Sequence, residues 1–271
     1  HTPLLVPFLL EALSSLEDPR LAYTQQHASS ILGDKGDAAF ESARVAATRA
    51  SDAATALERC VPLMGDMHVL AALPALEHLL VRGVGLPTRT GTARFVMRLA
   101  HERGDVLKPR AHRILDSVVG GILSDTSFIV QRAYASAAAQ LAKHVGPDKL
   151  GDLVRGLSTR YTSDEVIRSD EERLTVALLA SELLRGAPDA MAAIRVDWVP
   201  LAFIGRHEPR WASEDDGVSL SEARHAPGKL AEAWSEMYDE AGINKGAVAV
   251  PVAEIFEMLR QLVAGASWER R

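Results

Sequence analysis

A register of 42 residues runs through this chain and restricts its fold more than any other feature. Pro87 to Ala100 (PTRTGTARFVMRLA) overlays Ile129 to Ala142 (IVQRAYASAAAQLA) without a gap, and 42 positions further on lies Glu171 to Leu184 (EERLTVALLASELL). Ala93, Ala135 and Ala177 coincide in this register, as do Leu99, Leu141 and Leu183. Apolar residues at i, i+3, i+4 and i+7 around a small residue describe one face of an α-helix, with the alanine admitting a close neighbour. Partner helices are predicted between these segments, at Met67–Arg82, Arg110–Leu123, Lys149–Tyr161 and Met191–Arg206. Turn signals follow the first, second and fourth, at Gly83–Pro87, Ser124–Thr126 and Glu208–Pro209. In Ser124-Asp125-Thr126-Ser127 an Asp or Ser stands where a helix N-cap is wanted, to satisfy amides left free at the helix start.

Two helices in a unit of about 40 to 47 residues are the signature of HEAT or armadillo arrays. The fold expected is therefore all-α, an α-solenoid of HEAT-type antiparallel helix pairs with little room for strands. Composition agrees. Of 271 residues, 47% are hydrophobic but only 5% aromatic, so the core is aliphatic and rich in small residues. Residues 1–59 read as a helical segment whose register cannot be placed, and 60–271 as HEAT-like repeats. Thr162–Glu171 lengthens the third turn, and a long polar, acidic loop near 207–225 (His207 to Arg224) is a candidate partner contact. The chain starts without Met and ends at Trp268–Arg271 in what reads as the opening of a further helix, so a longer solenoid is expected around it.

Each candidate for catalytic or cofactor chemistry has a plainer reading. Gly85 to Thr92 has a phosphate-loop look, but its spacing is one too long and it lacks the lysine and the preceding strand, so a turn and helix start is expected. Gly83-Val84-Gly85 lacks the third glycine of a dinucleotide fingerprint. The nearest histidine pairs, His68 with His78 and His101 with His112, miss the spacing that brings two imidazoles onto one metal. Cys60, the lone cysteine, offers no thiolate partner and no intrachain disulfide. The carboxylate runs Asp164-Glu165, Asp170–Glu172 and Glu214–Asp216 fall in loops or at helix starts, where they solvate the surface and complement the helix dipole. No catalytic, cofactor-binding or metal-binding residue is therefore expected, and no cofactor. A net charge of −6 without a basic block argues against a nucleic-acid surface. The apolar run Leu4–Leu10 is too short to span a membrane and lacks the flanks of a signal peptide, so it reads as a buried helix.

The unit Ile114–Leu123, Ser124-Asp125-Thr126, Phe128–Leu141 resembles the HEAT repeat in detail. Asp125 falls at that family's turn aspartate, and Ala133 and Leu141 match its second-helix apolar positions. Where the family usually carries Arg after Val, Val130 is followed by Gln131, which weakens the case for an interhelix Arg–Asp ladder in this unit. More specifically, residues 83–100, 127–142, 199–209 and 263–271 look like the later part of the HEAT-repeat proteasome adaptor and scaffold family. The likeness is densest between Gly83 and Ala142.

That resemblance implies a non-catalytic scaffold with protein partners, the 26S proteasome subunits first among them. It would bridge core and regulatory particles and serve proteasome quality control, in the cytoplasm and nucleus, with no small-molecule substrate and no membrane insertion. The family has no catalytic residues to transfer, and its partner-binding residues cannot be mapped here. Pro87, Gly91, Ala93 and Tyr134 are expected to be packing residues. The alternatives are another HEAT scaffold, of the nuclear transport receptor or phosphatase scaffold type, and an enzyme whose catalytic half lies outside these residues.

Overall fold

In a computed structural model, residues 2–15, 40–162 and 170–195 are described, together with 20, 197, 198, 201 and 260. Ten helices can be named among them: α1 (Thr2–Ser15), α2 (residues 40–49), α3 (Asp52–Leu63), α4 (Asp66–Arg82), α5 (Leu86–Leu107), α6 (Ala111–Ser124), α7 (Phe128–Ala142), α8 (Pro147–Thr162), α9 (Asp170–Gly186) and α10 (Pro188–Ala193). A short 3₁₀ turn, Lys108–Arg110, joins α5 to α6. No strand occurs among the described residues. The chain divides into two compact units, the first ending at Val145 and the second starting at Gly146.

The expected register is present in the helices. Helices α5, α7 and α9 begin at Leu86, Phe128 and Asp170, two steps of 42. All six register residues, Ala93, Ala135, Ala177, Leu99, Leu141 and Leu183, are fully buried. In the first unit α4 lies beside α6 and α5 beside α7, while α4 also packs on α5 and α6 on α7. This is the two-layer arrangement of an α-solenoid.

The sequence of each helix suits its place. α6 buries Ala111, Ile114, Leu115, Val118, Val119 and Ile122, a stripe at helical spacing that faces its neighbours. Each of the larger side chains contributes about 1.5–3 kcal/mol when fully withdrawn from water. α7 has neighbours on two sides, α5 and α6, and buries Ala135, Ala137, Ala138, Ala139 and Ala142. Small residues on both faces let two helices approach at once. Ala133 is only partly buried, whereas Leu141 is fully so.

The Gly85-Leu86-Pro87-Thr88 start of α5 is explained by a distant contact. Gly85 has φ +86°, a left-handed conformation that glycine adopts without strain, and a Cβ there would strike the Ser14 side chain of α1. Pro87 fits the first turn, where its missing N–H costs nothing. No side chain at Gly85 can cap the helix. Ser14 does so from α1, its Oγ accepting from the Thr88 amide at 3.2 Å and donating to the Val84 carbonyl at 3.0 Å. The Thr88 hydroxyl in turn donates to the Leu10 carbonyl at 2.9 Å, buried. Residues 83–92 are thus a turn and a helix start.

Two expectations need correction, and others fall outside the described residues. The helix read over Met191–Arg206 starts earlier and is interrupted: α10 spans Pro188–Ala193, Ile194 at φ −118° and ψ 27° leaves the helical region, and residues 195, 197, 198 and 201 are again helical. Beyond the break the Trp198 indole turns back to donate to the Met191 carbonyl at 2.9 Å, which also accepts from the Ile194 amide at 3.1 Å. The Asp or Ser cap at 124–127 is also realised differently. Ser127 stands at the N-cap of α7, but its hydroxyl donates to Glu41 at 2.7 Å, while Asp125 Oδ1 accepts from Ser127's own amide at 2.9 Å. The loop near 207–225, the turn residues 163–169 and the run Glu214–Asp216 lie outside the described residues.

One interhelix Arg–Asp pair is present, drawn from two neighbouring units. Asp125, nearly buried, is paired by Arg89 of α5, the residue that occupies the register position of Gln131 one unit earlier. Gln131 itself donates to the Asp125 carbonyl at 2.6 Å. This pair links the arginine of one unit to the aspartate of the next.

Candidate functional site

The side chains weighed as possible chemistry are spread out. His68 and His78 are exposed on α4, His101 is exposed on α5 and His112 on α6. Cys60 is partly buried in α3, and burial pushes its thiol pKa up, away from the thiolate that reacts. Asp170–Glu172 opens α9, where negative charge complements the helix dipole. Among the described residues no group of three or more His, Cys, Asp or Glu side chains is placed to hold a metal ion. No helix among them is long and apolar enough to cross a membrane.

What the fold does bring together is a pocket of about 200 Å³ in the first unit, walled by α1, α2, α3 and α5. Its apolar side is Leu13, Val45, Leu57 and Phe95, all nearly buried. Its charged side is Arg49 from α2, Arg94 and Arg98 from α5, and Glu58 from α3. Arg94 and Arg98 are four apart, so one face of α5 carries both.

The three arginines are not equivalent. Arg98 is tied up, at 2.7 Å from Glu102 and 3.8 Å from Glu58. Arg94, half-buried, makes no hydrogen bond or ion pair among the described residues. Burial lowers its pKa, and the charge of Arg49 lowers it further, with Glu58 opposing. A guanidinium stays protonated through such a shift, so Arg94 is a fixed positive charge held in poor solvation. The arrangement can receive an anion.

The sequence reading missed this pocket. Arg94 and Arg98 flank the register positions Ala93 and Leu99, and their spacing of four was the available signal. The helix carrying Arg49 lies in the first 59 residues, whose register that reading could not place.

Comparison with known proteins gives a consistent result. Residues 1–162 match the family model described as the proteasome adapter and scaffold protein ECM29, HEAT-repeat domain. Over 273 residues the chain is 25% identical to the Homo sapiens proteasome adapter and scaffold protein ECM29, a match covering 100% of this chain and 14% of that protein. It is 25% identical over 239 residues to the Schizosaccharomyces pombe proteasome component ecm29, covering 87% of this chain and 13% of that one. The Drosophila melanogaster proteasome-associated protein ECM29 homolog is 24% identical over 277 residues, covering 100% of this chain and 13% of its own length. The chain thus spans about one-seventh of the curated relatives it matches. No solved structure matches it. With 42-residue helix pairs in place and the family model covering more than half of its length, the chain belongs to the HEAT-repeat domain family of the proteasome adapter and scaffold protein ECM29.

Proposed function

We propose that this chain serves a proteasome adapter and scaffold, holding 26S proteasome subunits by its helical surfaces and catalysing nothing itself. The observation that carries the proposal is the family match over residues 1–162, where all three relatives bear names that tie them to the proteasome. The side chains support it. Buried polar groups such as Thr88, Asp125 and Tyr134 are used to fasten helix to helix, and the scattered histidines and the suppressed Cys60 thiol offer no reacting pair. The bridging of core and regulatory particles, and a cytoplasmic and nuclear setting, belong to the same proposal. None of these three relatives is named as a transport receptor or phosphatase scaffold.

Solenoids hold partners by many modest contacts along an extended surface, and linked weak sites gain strength from effective concentration. A chain covering 14% of its human relative should therefore bind weakly alone. Expressed with a tag in eukaryotic cells and fixed with formaldehyde before lysis, it is expected to recover 26S subunits, with most of that recovery lost when the fixation is omitted. Recovery of transport factors or phosphatase subunits without any proteasome subunit would contradict the proposal.

A further inference from the structure

We propose that the pocket walled by α1, α2, α3 and α5 docks an acidic side chain from a peptide segment of a protein partner, its carboxylate met by Arg94 and Arg49. The inference rests on the adaptor reading, since it takes the partner to be a protein, and it names the chemistry of one contact.

Arg94 supplies the first argument. A charged group withdrawn from water is costly unless paired, yet Arg94 is half-buried without a hydrogen bond or ion pair among the described residues. Its neighbours in sequence show the contrast. Arg89 is paired with Asp125, and Arg98 with Glu102 and Glu58. A carboxylate would give Arg94 a charge-assisted, bidentate partner.

Size and lining supply the second. Small-molecule sites run to about 300–1,000 Å³, whereas this pocket has about 200 Å³, room for a side chain or two. The methylenes of a glutamate or aspartate would lie along Leu57 and Phe95 while the carboxylate reaches the arginines.

Phosphate fits less well. Phosphate sites draw on free backbone amides at a helix start, and here the Ala54 amide at the start of α3 is already taken by Ser51 Oγ at 3.2 Å. Glu58 stands on the pocket wall, largely exposed, where it would repel a doubly charged anion more than a single carboxylate. The chain's net charge of −6 also disfavours a polyanion such as RNA.

The test uses the 271-residue chain and a fluorescein-labelled peptide of alternating glutamate and leucine, read by fluorescence anisotropy. Saturable binding is expected, weakened about tenfold or more by Arg49→Gln together with Arg94→Gln, the scale of losing a charge-assisted hydrogen bond. A peptide with glutamine in place of glutamate should lose binding to a similar degree. Glu58→Gln, which removes the competing carboxylate and leaves both arginines in place, should tighten binding; this arm still decides if the double variant fails to fold. Absence of saturable binding, equal binding of the glutamine peptide, weaker or unchanged binding by Glu58→Gln, or a folded double variant that binds like the parent overturns the inference. So does displacement of the peptide by inorganic phosphate at lower concentration than by free glutarate, which would make this a phosphate site. If the peptide fails to bind while fixed cells still yield 26S subunits, this inference falls and the adaptor reading stands. Peptide binding without recovery of proteasome subunits leaves the acidic-side-chain pocket standing and removes the adaptor reading.

Discussion

Tyr134→Ala is expected to cost the first unit about 3–5 kcal/mol, the range for removing a large ring from a packed interior. Tyr134 is 1% exposed, and its ring lies so close to Gly121 of α6 that a Cβ built there would sit 2.5 Å from the ring. Its hydroxyl donates to the Leu80 carbonyl at 2.8 Å. Leu80 falls in the last turn of α4, where carbonyls have no partner within the helix, so one side chain of α7 closes the end of α4 while filling the gap against α6. Burial and the charge of Asp125 both push the phenol pKa up, which keeps the hydroxyl a donor. Tyr134→Phe keeps the ring and should cost less, about 1–3 kcal/mol for a buried acceptor left unpaired. Urea unfolding followed by circular dichroism measures both, and a Tyr134→Ala midpoint equal to the parent's would place the ring in solvent.

Leu99→Ala and Leu141→Ala are each expected to lose about 2–5 kcal/mol, the cost of deleting a buried leucine and leaving part of the cavity open. The two residues hold the same place in α5 and α7, 42 positions apart, and both are fully buried. Leu63→Ala, at a leucine 76% exposed, should stay within about 0.5 kcal/mol of the parent. The comparison separates register from composition. A loss at Leu99 without one at Leu141 would mean that the two helices do not present the same face.

Much of the fold could be read from the sequence because helical periodicity is local. The alanines and leucines of the register announce which face of α5, α7 and α9 is buried, and the starts of those helices follow at the same spacing. Periodicity does not say which distant helix lies opposite. The Ser14 cap on α5 joins residues 74 positions apart, and the Ser127–Glu41 contact joins residues 86 apart. Neither follows from a pattern within one helix. Gln131 leaves no arginine at that register position of its own unit, and the partner of Asp125 comes instead from Arg89 of the unit before. The helix expected over Met191–Arg206 has its apolar stripe, but a stripe does not reveal that Ile194 leaves helical geometry. The pocket was out of reach for the same reason, since its walls come from Leu13, Val45, Leu57 and Phe95, on four helices.

The central claim is that helix pairs repeat every 42 residues with short breaks between them, and native-state amide hydrogen exchange tests it most directly. Slowly exchanging amides report hydrogen-bonded, packed helix, and breaks report as fast-exchanging gaps. Protected blocks are expected within 66–82, 86–102, 111–124 and 128–142, with unprotected residues at 83–85 and 125–127. Gly83, Asp125 and Ser127, whose amides are bonded to the Leu79 carbonyl, the Gly121 carbonyl and the Asp125 side chain, should exchange more slowly than the other gap residues. Uniform protection running through both gaps, or alternating protection from residue to residue in the manner of strands, would contradict it.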